Sequence, residues 1–171
     1  MSPEDLLKRL DQLGLAYQNT HHVALKTVED SKKVQHQFLS SEEGGGHIKN
    51  LYLRDRKKRN YLVVAEQDQA IDLKALSRTI GATNLSFGSP DRLMEHLGVL
   101  PGAVTPLSMI IGTEKGVTLY LDETLQGCKK IYMHPMVNTQ TTAMSPADLE
   151  AFLNSLGCTY SWINLTNTMV S

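Results

Sequence analysis

Apolar residues recur along this chain at two spacings, and caps, prolines and glycines mark where one spacing gives way to the other. Behind Ser2-Pro3-Glu4-Asp5, the side chains of Leu6, Leu7, Leu10 and Leu13 share one helical face, and Gly14 stops the run. A second helix is expected behind Thr27, through Val28, Val34 and Phe38, with Glu29 and Asp30 in its first turn. Asp72 opens a third, carrying Leu73, Leu76 and Ile80 inward before Gly81. Ser89-Pro90-Asp91 starts a fourth with Leu93, Met94 and Leu97, and Ser145-Pro146-Ala147-Asp148 starts a last one with Leu149, Phe152, Leu153 and Leu156.

Between the helices the spacing shortens to that of strands. Residues 49–55 and 61–64 read as a hairpin, and strands are expected over 107–111, 117–121, 130–133, 139–144 and 160–165. Gly44-Gly45-Gly46 predicts a mobile loop ahead of the hairpin, because consecutive glycines free the backbone. Two prolines and a glycine over residues 100–106 predict a rigid turn. Strict alternation of strand and helix is missing, so the fold class is α+β (mixed α/β), a mixed and largely antiparallel central sheet flanked by helices.

Composition narrows the class. A chain of 171 residues, 41% apolar and 20% charged, is expected to fold as one domain over 1–171 with a flexible C-terminal tail from about residue 166. No segment approaches the roughly 20 apolar residues of a membrane span, so no membrane role is expected. The acidic N-terminus, Met1-Ser2-Pro3-Glu4-Asp5, lacks the basic start of a secretory signal, and the expected location is cytoplasmic. Cys128 and Cys158 have no CxxC spacing, and the adjacent His21 and His22 cannot place both rings on one strand face. Neither a metal nor a cofactor is expected. With a net charge of −1, any attraction to a polyanion must be local. Arg54, Arg56, Lys57, Lys58 and Arg59 are five of the seventeen basic residues and fall within six positions, on the hairpin turn.

Several separated motifs then stand in a recognisable order: His22, Thr27-Val28-Glu29, 49–55, Arg59-Asn60-Tyr61, Leu85-Ser86-Phe87-Gly88, Gly102-Ala103-Val104-Thr105-Pro106 and His134-Pro135-Met136-x-Asn138. In these the chain resembles the YbaK/ProRS-associated editing domains, most closely the free-standing prolyl-tRNA deacylases of the ProX kind, over roughly residues 4–165. The resemblance implies a YbaK-like single domain that hydrolyses the ester of mischarged tRNA(Pro), chiefly the alanyl ester, in trans. It implies the tRNA(Pro) acceptor end as partner, with prolyl-tRNA synthetase or an elongation factor as transient ones. Where many relatives carry His-Pro-Pro-Val-Phe, this chain has His22-Val23-Ala24-Leu25-Lys26 beside the expected amino-acid pocket. Removal of cysteine, serine or threonine therefore stays open, as does a non-catalytic tRNA-binding or regulatory module of the same fold.

Ester hydrolysis needs a carbonyl polariser, a positioned water and a hold on the leaving nucleotide. Lys49 offers a cation, Asn50 can orient a water, and the Gly102 turn can bring backbone N–H groups close to a carbonyl. His134 is a candidate base at neutral pH, although a His-Pro turn also serves structure alone. These four are the candidate catalytic residues. His22, Leu25, Thr27 and Pro106 are expected around the amino-acid pocket, and residues 54 and 56–59 are expected to hold the tRNA. No nucleophile elbow or Ser-His-Asp order is present, so a covalent route is not expected. In the family the neighbouring ribose hydroxyl is thought to assist the water. Selection is then expected to be steric, a pocket for alanine refusing the proline ring.

Overall fold

In the structure, a computed structural model, residues 1–24 and 27–168 are described. Helix starts lie where the caps predict. Helix α1 (Pro3–Gln12) opens on a reciprocal Ser2–Asp5 capping box, and α2 (Val28–Val34), α3 (Leu73–Ile80), α4 (Pro90–Leu97) and α6 (Pro146–Ser155) open on Thr27, Asp72, Ser89 and Ser145. The short α5 is Met109–Gly112. The strands are β1 (Gln18–His21), β2 (Gly45–Arg54), β3 (Asn60–Glu66), β4 (Ser86–Phe87), β5 (Thr118–Asp122), β6 (Lys130–Met133), β7 (Gln140–Met144) and β8 (Tyr160–Ile163).

These form one sheet in the order β1-β7-β6-β2-β3-β5-β8, with β4 added on β2. The pairs β1/β7, β2/β3, β2/β4 and β6/β7 are antiparallel, and β2/β6, β3/β5 and β5/β8 are parallel. Strand β3 is buried on both faces, which is why Tyr61-Leu62-Val63-Val64 is unbroken apolar sequence. Its alternate residues feed two cores. Leu62 and Val64 join Tyr52, Leu119, Leu121, Leu97, Met109 and Phe152 in the larger one, whereas Tyr61 and Val63 join Leu53, Ala65, Leu76 and Leu165 in the smaller.

Three expectations are corrected. Residues 107–111 are not a strand: Thr105 caps a 3-10 turn over Pro106–Ser108 that runs into α5. A short apolar run cannot distinguish strand from buried helix, and Pro106 at the first helical position decides it. The three glycines are not a loop. Gly44, at φ 98, ends a 3-10 turn over Ser41–Glu43, while Gly45 and Gly46 are buried inside β2. A Cβ on Gly45 would lie 2.0 Å from the Leu39 carbonyl oxygen, so glycine here permits close approach rather than motion. The second helix ends at Val34, and a 3-10 turn over Gln35–Gln37 delivers Phe38 onto Tyr132, ring centroids 4.7 Å apart. Of the expected tail, Leu165–Thr168 form a 3-10 turn with Leu165 buried, and 169–171 lie outside the described residues.

Strand β2 positions the site. One edge pairs with β3 from Ile48 to Arg54, but the other meets β6 only through Gly45–His47 and β4 only through Leu53–Arg54. The His47 carbonyl accepts from Gln67 N on the β3 side, and the Tyr52 carbonyl accepts from Gly88 N on the opposite side. Backbone alternation therefore turns the peptide groups of Ile48 and Asn50 into the gap between β6 and β4. Pro135 follows the end of β6 and Met136 takes φ 67, so the chain leaves the sheet there.

Replacing Gly45 by alanine should lower stability by about 1–3 kcal/mol, the range for overpacking a well-filled site. Thermal unfolding checks this, and an unchanged Tm would show that Leu39 yields freely.

Candidate active site

Where β2 and β6 part, residues from both faces of the sheet line one cleft, about 440 Å³ including its open mouth. Val34, Phe38, Ile48 and Met133 make its apolar walls, and Gln35, His47, Asn50, His134 and Thr141 bring polar groups. His47 is fixed by stacking on Tyr132, centroids 5.0 Å apart, and by a 2.7 Å hydrogen bond to the Leu39 carbonyl. Tyr132 accepts the Leu39 amide in turn, at 2.9 Å.

Two candidates from the sequence meet here. His134 Nδ1 donates to the Gln140 carbonyl at 2.9 Å, which fixes the neutral tautomer with Nε2 as the lone-pair nitrogen. Among the described residues Nε2 has no hydrogen-bond partner. Burial pushes this imidazole below its ordinary 6.5; the hydrogen bond to Gln140 opposes that shift, and His22, with its ring centroid 6.3 Å away, adds to it. Asn50 lines the same cleft, and its Oδ1 is buried with no partner among the described residues. An orphaned acceptor of this kind costs roughly 1–3 kcal/mol, which a donor arriving in the cleft would offset.

His22 stands at the rim. Its Nδ1 donates to the Val23 carbonyl and its Nε2 accepts the Thr141 hydroxyl, both at 2.7 Å. Thr141 was not singled out in the sequence; it faces His134 through the β6/β7 register, a pairing that strand periodicity alone does not reveal.

The remaining candidates lie apart. Lys49 and Asn50 are neighbours on a strand and project to opposite faces, and Lys49 Nζ donates to the Gln69 carbonyl instead of lining the cleft. Gly102, at φ 90, lines a second, open hollow of about 1260 Å³ including the solvent at its mouth, with Leu100, Met136 and Asn138. The segment from His134 to Met136 joins it to the cleft. Pro106 is buried in the 3-10 turn behind it. Thr27 caps α2, accepting from Asp30 N at 3.0 Å. Leu25 lies outside the described residues.

The basic turn divides in a similar way. Arg56, Lys57 and Lys58 are exposed, whereas Arg59 is engaged. Its Nη2 sits 2.6 Å from Asp55 Oδ2 and its Nε 2.8 Å away, so its charge is partnered within the hairpin. Asp55 is the buried anchor and also accepts from the Arg59 and Thr83 amides and the Tyr61 hydroxyl. Burial alone would raise this carboxyl, but the hydrogen bonds and the Arg59 charge together hold it at about 2.

Residues 18–152 match the model of the aminoacyl-tRNA editing domain. The chain is 37% identical over 161 residues to the prolyl-tRNA editing protein ProX of Acetoanaerobium sticklandii, covering 94% of this chain and 95% of that one. It is 38% identical over 159 residues to prolyl-tRNA synthetase associated domain-containing protein 1 of Danio rerio, covering 90% and 84%. A crystal structure described as a candidate trans-editing enzyme for prolyl tRNA synthetase superposes with a TM-score of 0.69 at 20% identity, over 96% of this chain and 98% of that one.

Because the folded value for Asp55 lies below the ordinary 3.8, its stabilisation is complete above that value and is lost as pH falls toward 2. Wild-type Tm should therefore drop through this window more steeply than that of Asp55→Asn, which should be less stable at neutral pH. Parallel acid limbs would refute the assignment.

Proposed function

Starting from the fact that the chain belongs to the aminoacyl-tRNA editing domain family, we propose that it is a trans-acting deacylase that hydrolyses the ester of mischarged tRNA(Pro), with the alanyl ester as its main substrate. The observation that carries this reading is the pairing, in one cleft, of a neutral His134 whose Nε2 has no hydrogen-bond partner among the described residues and an Asn50 Oδ1 that likewise has none among them. Water entering there can give a proton to Nε2, while Asn50 accepts from the aminoacyl ammonium or from the vicinal ribose hydroxyl. Asn50 is held within β2, and His134, just past the end of β6, is held by its bond to the Gln140 carbonyl of β7, which keeps the reacting geometry fixed before substrate arrives.

The other candidates take supporting roles. Lys49 reaches the ester or a phosphate only by leaving the Gln69 carbonyl, so substrate has to compete for that cation. Backbone amides beside Gly102 are the candidate donors to the developing oxyanion, from the hollow that continues beyond Met136. The apolar walls formed by Val34, Phe38, Ile48 and Met133 favour a methyl group and oppose the larger proline ring by overpacking. A cytoplasmic location is consistent with this reading.

The test is hydrolysis of tRNA(Pro) charged with alanine, serine, cysteine, threonine or proline. The alanyl ester should turn over fastest and the prolyl ester slowest; hydrolysis of none would sink the enzymatic reading. For wild type, the acid limb of kcat/KM should have its midpoint below the 6.5 of an ordinary histidine, since burial pushes His134 down. His134→Gln should reduce kcat at least about 100-fold. A loss of only a few-fold would assign the ring to positioning. Alanine at Arg56, Lys57 and Lys58 together should weaken binding across tRNAs and flatten its salt dependence, with single-turnover rate at saturating enzyme nearly intact.

A further inference from the structure

On the larger-core face of β2, four residues beyond Asn50, a second arginine joins the one that the sequence assigned to the basic turn. Arg54 does not point out with Arg56–Lys58; its side chain lies on the face shared by Asn50 and Tyr52, since alternate strand residues share a face. Arg92, in the first turn of α4, reaches the same spot. Its Nη2 donates to Asn60 Oδ1 at 2.9 Å, the atom that also accepts the Tyr52 hydroxyl at 2.9 Å. Asn60 is the cross-strand partner of Arg54, and both guanidinium charges act on the Tyr52 hydroxyl.

Each arginine carries an unmet need. Arg54 Nε and Arg92 Nε are both buried without a hydrogen-bond partner among the described residues. No carboxylate among the described residues forms an ion pair with either one. The nearby Glu95 side chain is 65% exposed and stands 3.9 Å from His96 instead. Two converging cations with orphaned donors, partly shielded from water, are arranged as for an anion with several acceptor oxygens. Gly88 holds the two elements this close, because a Cβ there would sit 2.3 Å from the Tyr52 ring.

We propose that Arg54 and Arg92 form a phosphate clamp that takes a backbone phosphodiester of the tRNA 3′ end, with Arg92 as a binding residue outside the basic turn. This rests on the reading that the chain acts on a tRNA. Four strand residues separate Asn50 from Arg54, on the order of 13 Å along β2. A phosphate held there lies on the same face of β2 as Asn50, so the clamp sets how far the 3′ end can advance and hence where the ester stops. The exposed turn would act separately, on phosphates further along the RNA.

The experiment compares wild type, Arg54→Gln, Arg92→Gln, the double variant and Arg92→Lys. It measures Kd for uncharged tRNA(Pro) across salt concentrations, and KM and kcat for alanyl-tRNA(Pro). Arg92→Gln should raise KM and Kd about ten-fold with kcat nearly constant, and should lower the slope of log Kd against log salt by about 1. Arg92→Lys should restore the slope while recovering only part of the affinity, because lysine keeps the charge and loses the fork; it also serves as the readout if the glutamine variant does not fold. An unchanged slope and KM in Arg92→Gln overturns the clamp, as does a loss confined to kcat. Wild type that binds with an Arg92-dependent slope yet hydrolyses no charged tRNA would leave the clamp standing and remove the deacylase reading. Hydrolysis insensitive to Arg92 would do the reverse.

Discussion

Everything at the site depends on one strand having more edge than its neighbours cover. Strand β2 is ten residues long, and its β3 edge is paired without a break from Ile48 to Arg54, which fixes its register. On its other edge β6 and β4 each take only an end. Peptide groups that face an open gap can be satisfied by solvent or by a ligand, and the β3 pairing on the other edge holds them in place. The 3-10 turn that carries Gln35 and ends at Phe38, and His134 just past β6, close a cleft that the strands have already opened. Its depth comes from the separation of two strands, and both faces of the sheet contribute side chains to it.

That construction explains why the helices were legible and the cleft only partly so. Ser2, Thr27, Asp72, Ser89 and Ser145 announce helix starts through local hydrogen bonds that sequence spacing encodes directly. Strand β1, with the sequence Gln18-Asn19-Thr20-His21, has no apolar alternation to announce it, and β4 is two residues long. The residues 107–111 differ for another reason: a five-residue run with four apolar positions fits either structure, and Thr105 as cap with Pro106 behind it carries the information. Gly44 to Gly46 were misread because glycine serves both freedom and close approach, and only the Leu39 carbonyl distinguishes them.

The site shows the same division. His134 and Asn50 were identified as single residues and do share a cleft, but the grouping of Lys49 with Asn50 ignored the alternation of strand side chains. Thr141 and Arg92 come from elements distant in sequence from β2, and no local pattern links them to it. Charge counting placed Arg54 through Arg59 in one class. Burial separates them into an inward arginine, an exposed trio and an arginine bound to its own carboxylate.

The last of these has a bearing on how such a protein can change over time. With Asp55 anchoring the turn through Arg59, Thr83 and Tyr61, and the Arg56 and Lys58 amides bonded to the Thr83 and Asp55 carbonyls, the geometry of the hairpin end is set by backbone and by Asp55 rather than by the Arg56, Lys57 or Lys58 side chains. Those three positions can gain or lose charge while the sheet beneath them stays the same. On the proposed reading, in which this trio holds the RNA, grip can drift with the ionic conditions of a cell or the abundance of its tRNAs without change at the cleft.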